Sequence, residues 1–116
     1  MPRASLSAIF NLAAAHRLID YHGECENFHG HNYKIIVQIE GLVQKNGLVL
    51  DFKEIKKIYQ EKVHAVLDHQ NLNDFIPNPS AENLAIWLWK KMQADLPLQR
   101  ITIYETDNYF CKYEGK

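Results

Sequence analysis

The sequence predicts an α+β domain, in which a four-stranded antiparallel sheet is covered on one face by two helices in the order ββααββ. Residues alternate between polar and apolar near both ends of the chain, which is typical of half-buried strands. Two segments between these strands carry apolar residues at helical spacing. Strands that follow each other directly, with the helices grouped between the two pairs, favour antiparallel pairing.

The first two strands are predicted over residues 4–15 and 29–43. The N-terminal run is short and broken by polar residues, so we interpret it as a strand and not as a signal peptide. Polar and apolar residues alternate over residues 32–40. A polar loop at residues 20–27 joins the two strands, and a turn sequence at residues 45–47 follows the second.

The first helix is predicted from Asp51 to Leu67, because Asp51 and Glu54 have the spacing of a capping box. Its apolar stripe consists of Ile55, Ile58, Tyr59, Val63, Val66 and Leu67. Ser80 is expected to cap a second helix that ends before Pro97. The apolar residues of that helix are Leu84, Trp87, Leu88 and Met92.

The last two strands are predicted over residues 99–106 and 109–113. Ile101, Ile103 and Glu105 share one face of the third strand. Two helices cover only one face of such a sheet, and its edge strands and partly apolar outer face need cover as well. We therefore expect a homo-oligomer.

Length and composition restrict the class of protein. The 116 residues suit one domain, residues 1–116, and the composition is that of a soluble globular protein. A formal net charge of −1 gives no reason to expect a nucleic acid or an anionic membrane as a partner. Two cysteines are too few for a disulfide scaffold, which favours a reducing compartment, the cytoplasm.

Two histidines and a cysteine lie within seven residues, from Cys25 to His31. His29 and His31 are two residues apart in a strand, so their side chains point to the same face. His16 ends the first strand, and antiparallel pairing would place it beside the start of the second. Three imidazoles at one point predict a metal site, and a catalytic zinc ion usually keeps three protein ligands and one open position.

The remaining cysteine and histidine side chains have several interpretations. Cys25 is a candidate base or nucleophile, because a thiol beside a metal ion and imidazoles loses its proton readily. It is alternatively a fourth ligand, which would close the site and make the zinc structural. We expect Cys111 to be a buried, inert thiol, and His22 and His64 to be surface or loop residues.

Two acidic positions are candidates for chemistry. Asp68 precedes His69 after the first helix, and a carboxylate can orient an imidazole that moves protons. Adjacent side chains seldom hydrogen-bond each other, so both are expected to converge on a third group; a histidine at a helix C-terminus is the simpler alternative. Glu105 on an inward strand position could bind two adjacent N–H donors, or could be solvated beyond the strand end.

Several segments together identify a family. They are Phe10-x-Leu12-Ala13-Ala14-Ala15-His16-Arg17-Leu18, Cys25-x-x-x-His29-Gly30-His31-Asn32-Tyr33, Leu50-Asp51-Phe52, Leu67-Asp68-His69-x-x-Leu72-Asn73, Asn78-Pro79-Ser80-x-Glu82-Asn83-Leu84 and Glu105-Thr106. Across nearly its whole length the chain resembles the 6-pyruvoyl tetrahydropterin synthase and 6-carboxytetrahydropterin synthase family.

The resemblance implies a T-fold (tunnelling fold) subunit, with two trimers stacked into a homohexamer and active sites between subunits. It implies one Zn²⁺ per subunit, held by His16, His29 and His31. It further implies Cys25, Asp68 and His69 as the proton-transfer residues, and Glu105 as the residue that anchors the pterin ring.

The substrate implied by the resemblance is 7,8-dihydroneopterin triphosphate. The three-residue gap between Cys25 and His29 resembles the 6-carboxy branch, a carbon–carbon lyase that releases acetaldehyde and triphosphate in queuosine biosynthesis. The alternative is the 6-pyruvoyl branch, which releases triphosphate without cutting carbon. Ser80 and residues 107–109 depart from the family pattern, the latter near Glu105.

Three further points remain open in the sequence. Arg17 and Lys34 are candidates for binding the triphosphate on the ground of charge alone. A cupin-like oxygenase would need a glutamate soon after the His-x-His pair and a distant histidine on a later strand, but residues 32–37 contain no glutamate and no histidine follows His69. A non-catalytic zinc-stabilised module would use Cys25 as its fourth ligand.

Overall fold

The computed structural model describes residues 2–19 and 27–116. Its strands are β1 (Arg3–His16), β2 (His29–Leu42), β3 (Leu98–Tyr104) and β4 (Phe110–Tyr113), and its helices are α1 (Phe52–Tyr59), α2 (Ala65–Leu67) and α3 (Ala81–Met92). A π-helical segment, Gln60–His64, joins α1 to α2 without a break, and a 3₁₀ turn, Leu72–Asp74, precedes α3. The predicted order of strands and helices is confirmed.

The four strands form one antiparallel sheet in the order β1-β2-β3-β4. In the β1–β2 pairing, Leu12 lies opposite Tyr33 and His16 lies opposite His29. Because side chains two apart share a face, these pairs and the buried Ile103 of β3 all point toward the helices. The register therefore places the end of β1 and the start of β2 at one corner of the covered face.

The core lies between this face of the sheet and the helices. Its fully buried members include Tyr33, Ile35, Val37, Ile55, Leu84, Leu88, Ile101 and Ile103. On the other face Ile9, which is 62% exposed, lies opposite Ile36. The alternation of polar and apolar residues along the strands predicts this outer face, which the helices do not cover. No helix in the described part of the chain is long and apolar enough to cross a membrane.

Asp51 and Ser80 cap the two helices at the predicted positions. The carboxylate of Asp51 accepts a hydrogen bond of 2.9 Å from the backbone N–H of Lys53. The hydroxyl of Ser80 accepts one of 3.1 Å from the backbone N–H of Asn83. Each bond satisfies one of the N–H groups that a helix leaves unpaired in its first turn.

The π-helical segment has a clear origin in the packing of the long helix. Ile55, Tyr59, Val63 and Leu67 are spaced four apart, and each is at most 1% exposed. In an α-helix a residue four positions on is rotated by about 40°, so three such steps would rotate Leu67 about 120° away from Ile55. The wider π turn removes much of this rotation, which keeps all four side chains in the core.

We expect Leu88→Ala to lower the free energy of unfolding by about 2–5 kcal/mol, because the fully buried side chain leaves a cavity between α3 and the sheet. Leu48→Ala is the matched control, since Leu48 is 45% exposed and its loss should cost less than about 0.5 kcal/mol. Urea denaturation at 25 °C measures both. Equal losses in the two variants would contradict this description of the core.

Candidate active site

Three histidines meet at the corner where β1 ends and β2 begins. The ligand nitrogens of His16, His29 and His31 all lie within 4.8 Å of one another, which is close enough to hold one metal ion. The strand register produces this cluster, because His16 pairs with His29 and the side chain of His31 points to the same face. His16 is buried, whereas His29 is exposed, so the cluster is reached from the His29 side.

Backbone carbonyls fix the tautomers of two of these rings. Nδ1 of His16 lies 2.6 Å from the carbonyl oxygen of Pro79, and Nδ1 of His29 lies 3.1 Å from that of Asn27. A carbonyl oxygen can only accept, so each Nδ1 carries a proton and donates it. In the neutral rings Nε2 is then the nitrogen that carries the lone pair, which is the usual arrangement of metal-binding histidines.

The distance between the two Nε2 atoms suits a cation. Nε2 of His16 and Nε2 of His29 are 3.0 Å apart, and in these tautomers no proton lies between them. Two lone pairs at this distance repel each other, and a cation that accepts both relieves the repulsion. Two imidazoles on a tetrahedral zinc ion would have their ligand nitrogens about 3.3–3.4 Å apart. The donor set therefore fits a divalent metal such as zinc.

Glu105 lies beside this cluster. β3 ends at Tyr104, and the backbone N–H of Glu105 donates to the carbonyl of Tyr109 in the turn to β4. The carboxylate of Glu105 is 3.7 Å from Nε2 of His16. Glu105 therefore lies at the predicted inward position, although β3 ends one residue before it and the predicted strand continued to residue 106.

A cavity of about 370 Å³ adjoins Glu105. Its lining includes Tyr109, so the bulky 107–109 segment does shape the space beside the carboxylate. Cys111 also lines it, and burial, together with the charge of Glu82, raises the pKa of this thiol. Cys111 is half-buried and not fully buried, but its thiol is protonated at neutral pH, as expected for an unreactive cysteine.

Asp68 and His69 form a direct hydrogen bond, contrary to the expectation that they would converge on a third group. Oδ2 of Asp68 accepts from Nδ1 of His69 at 2.7 Å. Neighbouring side chains can meet here because His69 has a φ of 59°, in the left-handed region, which turns its side chain back toward Asp68. Such a conformation is costly and is often found at functional sites.

Two further groups hold the carboxylate of Asp68. The backbone N–H of Ala13 donates to Oδ1 at 3.3 Å, and Nε2 of His64 lies 3.4 Å from Oδ2. Burial would raise the pKa of Asp68, but the hydrogen bonds from His69 and Ala13 and the charges on the two histidines lower it below its usual range. His64, which the sequence predicts to be a surface or loop residue, thus contacts Asp68, and its position four residues before Asp68 on a helix is the signal for this contact.

The chain segment after Asp68 is fixed against the edge of β1. The N–H of His69 donates to Ala13, and the N–H of Ala15 donates to Gln70. A cavity of about 390 Å³ at this edge is lined by both His31 and His69. One cavity therefore borders a member of the histidine cluster and the exposed imidazole of the Asp68–His69 pair.

Other predicted residues lie elsewhere. Cys25 and His22 fall outside the described residues. The guanidinium of Arg17 lies 4.9 Å from the centre of the Phe28 ring, and the ammonium of Lys34 lies 4.3 Å from the centre of the Tyr104 ring. Lys34 is on the sheet face opposite the histidines, which makes it the weaker candidate for a ligand of the same site.

The fold and the cluster define a class of protein: a T-fold α+β domain with a three-histidine centre able to hold a metal ion. The chain belongs to the 6-pyruvoyl tetrahydropterin synthase family, whose sequence profile matches residues 5–116.

Individual relatives point to more than one activity within this family. The chain is 32% identical to the 6-pyruvoyl tetrahydrobiopterin synthase of Homo sapiens, over 98% of this chain and 93% of the relative. It is 36% identical to a protein of Archaeoglobus fulgidus described as a putative 6-carboxy-5,6,7,8-tetrahydropterin synthase, with 88% of each chain covered. Among solved structures, the Caenorhabditis elegans 6-pyruvoyl tetrahydropterin synthase superposes with a TM-score of 0.89 at 28% identity, and 100% of this chain and 98% of that chain are covered.

Proposed function

We propose that the chain is a zinc-dependent 6-carboxy-5,6,7,8-tetrahydropterin synthase. It converts 7,8-dihydroneopterin triphosphate and one molecule of water to 6-carboxytetrahydropterin, acetaldehyde and triphosphate, and is therefore a carbon–carbon lyase. The observation that carries this proposal is the cavity lined both by His31 of the three-histidine cluster and by His69, the partner of Asp68. It joins a site that can polarise an oxygen atom to a group that can move a proton.

The choice of the 6-carboxy branch is supported by two features. Three residues separate Cys25 from His29, a gap that resembles that of the 6-carboxy branch, and the Archaeoglobus relative carries the corresponding name. The second candidate is the 6-pyruvoyl branch, which retains the carbon side chain. The similarity to the human relative over 98% of this chain favours it.

In the proposed site His16, His29 and His31 would hold the zinc ion, the first two through Nε2. The chemistry that zinc supplies when bound is Lewis-acid polarisation of an oxygen on the substrate side chain. The carbonyls of Pro79 and Asn27 keep the first two rings in the metal-binding tautomer. These carbonyls thereby orient the ligands before the metal arrives.

Proton transfers are assigned to three side chains. Cys25, as a thiolate, takes up and returns protons at the ring and side-chain carbons. Asp68 holds His69 with its proton on Nδ1, so that Nε2 of His69 is the atom that accepts and donates a proton on the substrate. The low pKa of Asp68 keeps this carboxylate ionised throughout the neutral range.

Glu105 is proposed to anchor the pterin ring. An ionised carboxylate accepts two parallel N–H bonds, and the 2-amino group and an adjacent ring N–H of a pterin present such a pair. Its carboxylate adjoins both the histidine cluster and a separate cavity of about 370 Å³. Ring binding there would leave the side chain of the substrate directed at the histidines.

The wider assignment follows the family resemblance. The product feeds 7-deazaguanine (queuosine) biosynthesis in the cytoplasm, and the subunits form a homohexamer of two trimers with active sites between subunits. The exposed outer face of the sheet, with Ile9 and the aromatic ring of Phe110, supports an assembly that covers it.

The test is to incubate the zinc-loaded full chain with 7,8-dihydroneopterin triphosphate and to identify the pterin product by mass spectrometry. We expect 6-carboxytetrahydropterin, because the proposed site cuts the side chain. A product that keeps its three-carbon side chain would move the protein to the pyruvoyl branch. No product, with zinc still bound and required for folding, would favour a non-catalytic zinc-stabilised module.

A further inference from the structure

We propose that His64 is a positioning residue for the Asp68–His69 pair: its imidazole holds the carboxylate of Asp68 in the orientation that directs His69. The inference rests on the proposed function, in which His69 moves a proton. It adds a residue that neither the family resemblance nor the comparisons assign.

The geometry at Asp68 carries the proposal. Oδ2 lies 2.7 Å from Nδ1 of His69 and 3.4 Å from Nε2 of His64, so one oxygen is shared by two imidazoles. Oδ1 accepts from the N–H of Ala13 at 3.3 Å. Apart from the bond to His69, the two contacts that fix the carboxylate, from His64 and from Ala13, are long, and the loss of either one would leave it freer to rotate.

His69 depends on this carboxylate for its orientation. Its side chain is 80% exposed, and among the described residues Asp68 is the side chain to which its ring is hydrogen-bonded. Rotation of the Asp68 carboxylate would therefore move or release the ring. It would also free Nδ1 to lose its proton, so that Nε2 would carry the proton and could no longer accept one from the substrate.

The helix places His64 beside Asp68 through a backbone hydrogen bond and a side-chain contact across the same turn. His64 ends the π-helical segment, and the backbone N–H of Asp68 donates to the carbonyl of His64 at 3.0 Å. The side chain of His64 then reaches Asp68 across the same turn, as residues four apart on a helix do. The π turn, which the packing of Tyr59 and Val63 requires, thus also places His64 beside the pair.

The charges around Asp68 agree with this role. Tyr59 faces the same carboxylate, and burial together with the charge of Asp68 raises the pKa of the phenol, which stays neutral. Its buried hydroxyl has no hydrogen-bond partner among the described residues, so it does not compete for Asp68. The imidazoles that face Asp68 and lower its pKa are those of His64 and His69.

A basic residue near a helix C-terminus can also stabilise the helix without any role in catalysis. Two variants separate the two roles. His64→Gln keeps a side-chain N–H donor, whereas His64→Leu removes it, and both residues favour a helix at least as well as histidine does. Neither variant removes a residue of the buried core, since the side chain of His64 is 43% exposed.

The experiment measures the tautomer of His69 by ¹⁵N NMR, and kcat and KM for 7,8-dihydroneopterin triphosphate, in the zinc-loaded full chain. In His64→Leu we expect a smaller fraction of His69 with its proton on Nδ1, and a kcat lowered about fivefold at unchanged KM. His64→Gln should recover most of both. The thermal midpoints of the two variants should agree within a few degrees.

An unchanged His69 tautomer in His64→Leu would overturn the proposal, and so would a lower thermal midpoint as the sole effect. Equal losses in the Gln and Leu variants would also overturn it, because the N–H donor would then not matter. The NMR measurement needs no substrate. It therefore decides the role of His64 even if the protein does not turn over the pterin. Normal turnover by the unsubstituted protein, together with an unchanged His69 tautomer in His64→Leu, would refute the role of His64 and leave the proposed function standing.

Discussion

His29→Ala is expected to abolish turnover and to weaken zinc binding by at least about a hundredfold. Loss of a group that only hydrogen-bonds to a metal ligand lowers the affinity by up to about a hundredfold, and loss of the ligand itself should cost at least as much. The substitution removes one of the three nitrogens that meet at the cluster. The two remaining imidazoles are fewer than the three protein ligands that a catalytic zinc ion usually has. Competition with a chromophoric chelator measures the affinity, and metal analysis gives the stoichiometry.

His29 suits this test better than His16 because its side chain is exposed, so its loss leaves no cavity in the core. Asn11→Ala is the matched control, since Asn11 is exposed on the opposite face of the same strand pair. It should bind zinc as the unsubstituted chain does. Full zinc affinity in His29→Ala would show that the metal is held elsewhere.

Asp68→Asn is expected to lower kcat by about 10²- to 10⁴-fold, the range for loss of a general acid–base group or of the carboxylate that orients it. The amide can donate a hydrogen bond to Nδ1 of His69, which would move the ring proton to Nε2 and remove the proton acceptor from the site. Zinc content should stay at one per chain, because Asp68 is not a member of the histidine cluster.

Steady-state kinetics on the pterin triphosphate measures this effect, and Asp95→Asn serves as the control. Asp95 is an exposed acid that precedes β3, at the end of the sheet away from His29. Its substitution should leave kcat within about twofold, as expected for a surface position. Comparable kcat values for Asp68→Asn and the unsubstituted chain would contradict the assignment of the Asp68–His69 pair to proton transfer.

The histidine cluster could be predicted from the sequence because it depends on two simple periodicities. The spacing of His29 and His31 puts both on one face of a strand, and antiparallel pairing brings the end of β1 to them. The structure confirms both steps, with His16 directly opposite His29. The carbonyl of Pro79, which orients His16, could not be predicted, because the two residues are 63 apart and meet only in the folded chain.

The geometry at Asp68 was harder to predict. The direct bond to His69 depends on a left-handed backbone conformation, which few non-glycine residues adopt and which no local pattern here indicated. The contact of His64 was present in the sequence as a spacing of four, but the helix was predicted to end at Leu67, one residue before Asp68. The third strand ends at Tyr104, earlier than the alternation indicated, because Glu105 already bonds within the turn.

The ratio of acetaldehyde to triphosphate released by the zinc-loaded protein tests the central claim most directly. Acetaldehyde is trapped as a hydrazone and triphosphate is quantified in the same reaction, with a chelator-treated sample as the blank. The proposed carbon–carbon lyase predicts one acetaldehyde for each triphosphate, and neither in the blank. Triphosphate release without acetaldehyde, or equal rates with and without the metal, would contradict the claim.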